Sequence, residues 1–158
     1  AILSAISAPL IPLRMCDVII RHPKERKSKC SLQPLRNRED LCFLTASDSL
    51  RFDATGYILL AVGAPPLDTS VSSLPILLLD STWRLLPRVE RCIHGVPVCR
   101  SLPTSLHTAY PRKSKLEADP ETGLASVEAL YAARRILQRS THGLLDQYHW
   151  KEAFLAQF

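Results

Sequence analysis

The tetrapeptide Asp80-Ser81-Thr82-Trp83 brings a carboxyl group, two hydroxyl groups and an indole together, directly after the most apolar run of the chain, Leu74–Leu79. A carboxylate can accept a proton or hold a cation, and an indole can bind through its N–H or its ring face. The apolar run is too short to span a membrane and suits a buried strand. Ligands of open α/β sheets bind where parallel strands end, so these residues are candidates for a ligand pocket. The alternative is that Asp80 and Ser81 cap the next helix while Trp83 packs in the core.

Further apolar runs predict the strands that would position this tetrapeptide. They do not alternate with polar residues, which is typical of strands buried on both faces of a parallel sheet. The runs are Val18–Ile20, Leu41–Leu44, Tyr57–Val62, residues 75–79 and an edge-like Val96–Cys99. We therefore expect an α/β fold with a mostly parallel sheet and flanking helices.

Helices are predicted over residues 82–91, 126–139 and 144–158. In the second, apolar residues recur at i, i+3 and i+4 from Val127 onward, which indicates one buried face. The opposite face would then expose Arg134, Arg135 and Arg139.

The 158 residues, of which 46% are hydrophobic, are enough for one domain with a buried core. Met15 is the single methionine and could be the natural start, so we expect residues 1–14 to be an N-terminal extension without fixed structure. Neither a signal peptide nor a membrane-spanning run is indicated, and no membrane contact is expected.

The five cysteines are an odd number, and none of them belongs to a Cys-x-x-Cys pair. This pattern favours reduced thiols in a cytoplasmic protein over a disulfide framework or a zinc site. The group Cys92, His94 and Cys99 lacks a second pair of ligands, so no metal is expected.

The net charge of +5 is unevenly distributed. Residues 1–45 hold eight Lys or Arg against four acids, and residues 84–115 hold seven against Glu90 alone. Basic regions of this kind favour a polyanionic partner, for which RNA is the natural candidate. A solvated basic face without a partner would have the same composition.

Three separated motifs carry a resemblance to a known family: Asp80-Ser81-Thr82-Trp83, Arg100-x-Leu-Pro103 and Ala125-Ser126-x-Glu128-Ala129. Their order and spacing resemble the Asp-x-x-Trp, Arg-x-x-Pro and Ser-(Thr)-x-x-Glu-Ala patterns of the DTW-domain family and the related ribosomal-RNA aminocarboxypropyltransferases. His22-Pro23-Lys24 with Lys29-Cys30-Ser31, and the segment Leu144–Phe154, are similar to the opening and the ending of the ribosomal branch.

The resemblance covers most of residues 18–158, with two departures from the family patterns. Lys151 stands where the ribosomal branch has Gly, and Ala125 stands where the family usually has Ser. The second departure predicts that Ser126 takes over the helix cap.

This resemblance implies a SPOUT-like fold with a C-terminal knot, and a reaction that uses S-adenosylmethionine. The donor's 3-amino-3-carboxypropyl group would pass to a uridine-type base of tRNA or small-subunit rRNA, in tRNA processing or ribosome biogenesis. Residues 15–158 would form a single domain, with a basic N-terminal part (15–50) and a donor-binding core (57–158). We expect a monomer. The alternatives are a SPOUT-type RNA methyltransferase and a non-catalytic RNA- or ribosome-binding module.

A sulfonium is already an activated leaving group, so the residues need only orient the donor and help remove a proton. Asp80 is the candidate base, or else a contact to the donor's amino acid tail. The expected donor contacts are Leu78, Leu79, Asp80, Trp83, Arg100, Leu102, Ser126 and Glu128. Arg100 could instead form a structural salt bridge, and Ser126 and Glu128 could serve only as capping residues.

The basic residues are the expected RNA contacts. They are Arg21, Lys24, Arg26, Lys27, Lys29, Arg112, Lys113 and Lys115. Tyr110 and His107 could stack on an unpaired base, although a Tyr110 packed against the protein is the alternative.

Overall fold

The computed structural model describes residues 16–24, 30–111 and 123–158. The expected N-terminal extension, residues 1–14, lies outside this part of the chain. The division of the domain into a basic part and a donor-binding core, the C-terminal knot and the monomeric state stay predictions.

Within the described residues, strands form one sheet of five and one of two, and every strand pair in them is parallel. The strands are β1 (Asp17–Arg21), β2 (Leu41–Thr45), β3 (Phe52–Asp53), β4 (Ile58–Leu60), β5 (Ile76–Asp80), β6 (Ile93–His94) and β7 (Val98–Arg100). The large sheet has the order β2-β1-β5-β4-β7, and β3 pairs with β6. The predicted parallel α/β sheet is therefore confirmed, with β7 at an edge as expected.

Three α-helices lie in the described residues: α1 (Leu86–Glu90), α2 (Ser126–Ile136) and α3 (Lys151–Leu155). None of them is long and apolar enough to cross a membrane. The first is shorter than predicted: residues 83–85 form a turn, in which the Leu85 N–H donates to the carbonyl of Thr82. Gln138 adopts a left-handed φ of 58°, which ends the second helix before residue 139. The third prediction is wrong over residues 144–150, where turns precede α3.

Two apolar cores cover the two faces of the sheet. Ile19 and Leu78 belong to the core that contains α2 and α3. Ile20 and Leu77 belong to the core on the opposite face, with Val89 of α1. Because successive strand residues point to opposite faces, both faces of β1 and β5 must be apolar. This is why their sequences show no polar alternation.

Arg134 points into the protein, so its predicted exposure is wrong. It is 4% exposed and donates to Asp17 at 2.8 Å and to Asp40 at 2.7 Å. The guanidinium groups of Arg38 and Arg134 hold the pKa of Asp40 well below its usual range. The apolar spacing could not reveal this inward charge, because burial of an arginine depends on acids from distant segments.

Arg139 is also held against the protein, and its guanidinium donates to the carbonyl of Ser72 at 2.6 Å. Among the three arginines expected to face solvent, Arg135 is exposed as predicted.

Candidate active site

A cavity of about 630 Å³ lies at the carboxyl ends of β4, β5 and β7. In parallel α/β sheets this edge is where ligands bind. Residues of α1 and the first turn of α2 form its sides, and its walls are mostly apolar. Hydroxyl groups come from Ser81, Ser101, Thr104 and Ser126. The volume and the lining are typical of a small-molecule site.

The last residues of β5 form one wall of this cavity. Leu78 belongs to the core on the α2 face and Leu79 packs against the core on the α1 face, yet both line the cavity. The cavity therefore wraps around the end of the strand. Trp83 also lines it and belongs to neither core, so the alternative of a core tryptophan does not hold.

Asp80 lies behind the cavity wall and is 4% exposed. Its carboxylate accepts hydrogen bonds from Arg21 Nε at 3.3 Å, Cys30 Sγ at 3.2 Å and Ser126 Oγ at 2.6 Å. A general base must reach the proton that it removes. In this structure the carboxylate is engaged by three protein donors, and its predicted roles as base or donor contact stay predictions. Its hydrogen bonds join β1, Cys30 and α2 to the end of β5.

The thiol of Cys30 is part of this buried cluster. Burial and the negative charge of Asp80 raise the pKa of Cys30 to about 12. The thiol therefore stays protonated at neutral pH, which allows it to donate to the carboxylate.

Ser126 does not cap its helix as the sequence predicted. The N-cap residue of α2 is Ala125, whose N–H donates to Glu128 at 2.7 Å. Ser31, from a distant segment, accepts a hydrogen bond from the Val127 N–H at 3.1 Å. These two side chains satisfy donors of the first helical turn, and Ser126 uses its hydroxyl on Asp80 and lines the cavity.

The Arg100-x-Leu-Pro103 motif contributes its last three residues to the cavity wall but not its arginine. Ser101, Leu102 and Pro103 all line the cavity. Arg100 is half-buried, and its Nη1 donates to the carbonyl of Cys99 at 2.8 Å. The predicted donor contact of Arg100 is therefore not supported, because its guanidinium is turned back along its own strand.

Glu128 is fully buried and lies outside the cavity wall, so it is not placed to contact a donor. It accepts from the hydroxyl of Thr108 at 2.6 Å and from the N–H of Ala109 at 2.8 Å. Because Glu128 also accepts from the Ala125 N–H at the start of α2, its hydrogen bonds connect the loop after β7 to this helix. Burial and the nearby charge of Glu128 raise the pKa of Tyr148.

Two parts of the cavity are absent from the sequence predictions. The first is Leu59–Ala64, the end of β4 and the turn that follows it. A signal for it existed, because the carboxyl ends of neighbouring parallel strands share one edge. The second is Glu90, which entered the sequence predictions only as a charge. In the predicted helix over residues 82–91, its spacing of seven residues from Trp83 would place both on one face, and in the structure both line the cavity.

The predicted RNA contacts fall mostly outside the described residues. Arg21 is buried in its ion pair with Asp80, so its side chain does not face solvent as the predicted RNA contact requires. Lys24 is exposed, as an RNA contact requires. The contacts outside the described residues are Arg26, Lys27, Lys29, Arg112, Lys113 and Lys115.

Tyr110 and His107, the two residues expected to stack on a base, each make contacts within the protein. Tyr110 is half-buried and packs edge-on against Trp150 with ring centroids 4.8 Å apart, which agrees with the packed alternative. His107 is exposed, while its backbone N–H and carbonyl both bond to the side chain of Gln157 at 2.7 Å.

The five cysteines are free thiols. Across residues 16–24, 30–111 and 123–158, no group of three or more His, Cys, Asp or Glu side chains is arranged to hold a metal ion.

Comparison with known proteins identifies a shared fold. No protein-family model matches the chain, and no curated protein matches it. Among solved structures, it is similar to the SAM-dependent rRNA:acp-transferase Tsr3 from Vulcanisaeta distributa, with a TM-score of 0.66 and 22% sequence identity. The match covers 90% of this chain and 78% of that protein. The resemblance inferred from the motifs is thus confirmed at the level of the fold.

Proposed function

We propose that the protein binds S-adenosylmethionine in the cavity at the strand ends and transfers its 3-amino-3-carboxypropyl group to a uridine-type base of ribosomal RNA. One observation carries the proposal: the mostly apolar cavity of about 630 Å³ occupies the ligand-binding edge of a fold shared with an rRNA:acp-transferase. Three motifs that resemble this family end in the cavity wall, which supports the same function.

The cavity offers surfaces that suit each part of the donor. Leu78, Leu79 and Leu102 provide apolar walls for the adenosine. Trp83 can place its ring face against the positively charged sulfonium or donate its indole N–H. The hydroxyl of Ser126 is fixed by its bond to Asp80, so it meets the ligand in one orientation.

The reaction requires a nucleophile from the base and no metal. The lone pair of a ring nitrogen attacks the terminal carbon of the aminocarboxypropyl chain, and the bond from that carbon to sulfur breaks. The bonding electrons go to sulfur, which leaves neutral methylthioadenosine. The proton of the ring nitrogen passes to water or to a nearby base. The protein contributes mainly by holding the two reactants in line.

Asp80 would support this reaction as a positioning residue. Its carboxylate holds Ser126 in the cavity wall and fixes the end of β5 through Arg21 and Cys30. RNA would be held by Lys24 and by the basic residues of segments 25–29 and 112–115, whose Lys and Arg side chains suit phosphate contacts.

The test is to incubate the protein with RNA and with donor labelled separately in the methyl and carboxyl carbons. We expect the carboxyl label in RNA and the methyl label in methylthioadenosine. Methyl label in RNA alone would instead identify a methyltransferase. If calorimetry detects RNA binding but no donor binding, the protein is a non-catalytic RNA-binding module. Parallel reactions with tRNA and with small-subunit rRNA identify the acceptor.

The variant Trp83→Ala tests whether the cavity is the donor site. It should weaken S-adenosylmethionine binding about tenfold, since a cation over an indole ring contributes about 0.5–2 kcal/mol. Trp150→Ala is the matched control, because Trp150 packs against Tyr110 and does not line the cavity. Wild-type binding in Trp83→Ala, or an equal loss in both variants, would count against a donor site at Trp83.

A further inference from the structure

Glu90 is the one ionisable side chain among the described residues that line the cavity. It shares the cavity-facing side of the Trp83–Glu90 segment with Trp83 and Leu86, which lie seven and four residues before it. The rest of the lining within the described residues is apolar or carries neutral hydroxyl groups. Of these residues, Glu90 is therefore the one that presents a fixed charge to a ligand in the cavity.

The helix itself gives no reason for an acid at this position. Glu90 is the last residue of α1, where the partial negative charge of the helix end disfavours a carboxylate. In the part of the chain that the structure describes, its carboxylate has no hydrogen-bond or ion-pair partner. Arg88, two residues away, instead forms an ion pair with Asp48 at 3.7 Å.

We propose that Glu90 selects the positively charged sulfonium donor over neutral thioethers, an inference that rests on the proposed function. S-Adenosylmethionine and S-adenosylhomocysteine carry the same amino acid tail and adenosine, and they differ in charge only at sulfur. A carboxylate near the sulfur attracts the sulfonium and has no charge to attract in the thioether. Transfer of the aminocarboxypropyl group converts the sulfonium into the thioether methylthioadenosine. The same carboxylate therefore favours release of the product.

Glu90 could attract either of two positive charges of the donor, the sulfonium or the ammonium of the amino acid tail, and the two contacts have different consequences. If Glu90 contacted the ammonium, its loss would weaken S-adenosylmethionine and S-adenosylhomocysteine equally, since both carry that group. If it contacts the sulfonium, its loss weakens only ligands with a positive charge at the sulfur position. Sinefungin, which carries an amine there, should behave like the sulfonium donor.

The test compares Glu90→Gln with wild-type protein and with Glu152→Gln. The control removes an exposed acid of α3 that does not line the cavity, so the change in net charge is identical. Calorimetric titrations use S-adenosylmethionine, sinefungin and S-adenosylhomocysteine at low salt. We expect Glu90→Gln to bind the first two about fivefold more weakly, in keeping with an exposed ion pair, and the third unchanged. Glu152→Gln should bind all three like wild type.

Two results would overturn the inference while leaving the proposed function intact. One is an equal loss of affinity for all three ligands in Glu90→Gln, and the other is no loss for any of them. If wild-type protein binds none of the three ligands, the proposed function fails and the inference fails with it. Thermal unfolding of each variant verifies that the fold is retained.

Discussion

Replacing Asp80 with asparagine should destabilise the fold because it leaves a buried arginine without its counter-charge. The carboxylate of Asp80 pairs with Arg21 at 3.3 Å, and the two side chains are 6% and 9% exposed. Asparagine keeps the size of the side chain and an oxygen that can still accept from Ser126. It removes the negative charge that compensates the guanidinium.

The magnitude follows from the burial of the pair. Removing one partner of a buried ion pair costs about 3–5 kcal/mol, because the remaining charge is uncompensated in a medium of low polarity. Arg21 keeps a hydrogen bond to Gln33 at 2.9 Å, so we expect the lower end of this range, about 3 kcal/mol. That is a large share of the roughly 5–15 kcal/mol that stabilise a domain.

Urea unfolding, followed by tryptophan fluorescence, measures this loss. The matched control is Asp48→Asn, which removes a carboxylate that is 98% exposed and lies 3.7 Å from Arg88. That change should alter the free energy of unfolding by no more than about 0.5 kcal/mol. The double variant Asp80→Asn with Arg21→Met should be more stable than Asp80→Asn alone, because it removes the uncompensated charge.

Two outcomes would refute this reasoning. A loss below about 1 kcal/mol in Asp80→Asn would mean that the pair is effectively solvated, as surface pairs are. A double variant that loses the sum of the two single losses would mean that Asp80 and Arg21 act independently.

Three further predictions concern the backbone, acid stability and thiol reactivity. Gly95 and Gly56 have nearly equal positive φ values, but a Cβ would overlap neighbouring side chains only at Gly95. Gly95→Ala should therefore lower the free energy of unfolding about 2 kcal/mol more than Gly56→Ala, and equal losses would exclude the overlap. The folded-state pKa of Asp40 is depressed by its two arginine partners, so its stabilising contribution is present above about pH 4 and is lost as the pH falls further. In Asp40→Asn the free energy of unfolding should therefore fall less steeply with decreasing pH in this acid range. The same slope as in the wild-type protein would contradict this. At pH 8 iodoacetamide should modify the exposed Cys42 and spare Cys30, whose pKa of about 12 and burial keep it an inaccessible thiol; peptide mass analysis before and after unfolding checks both sites.

The large sheet could be predicted because its buried strands have a local signature in the sequence. A strand buried on both faces must be apolar at consecutive positions, as in Val18–Ile20 and residues 75–79. Short polar-flanked pieces such as β3 and β6 have no such signature, since each is only two residues long. The prediction of a helix over residues 144–150 was wrong because turns can place apolar residues in the core at nearly the same spacing as a helix does.

The sequence by itself also determined which residues reach the cavity from the strand ends, as Leu78, Leu79, Trp83 and Leu102 follow directly from where two strands stop. Only the tertiary structure decided where the charged side chains lie and which groups they bind. The carboxylate of Asp80 accepts hydrogen bonds from residues 59, 50 and 46 positions away in the chain. These bonds hold it behind the cavity wall. Glu90 lines the cavity because α1 forms one of its sides. Apolar burial is set by local periodicity, whereas a buried charge must find its compensating group anywhere in the folded chain.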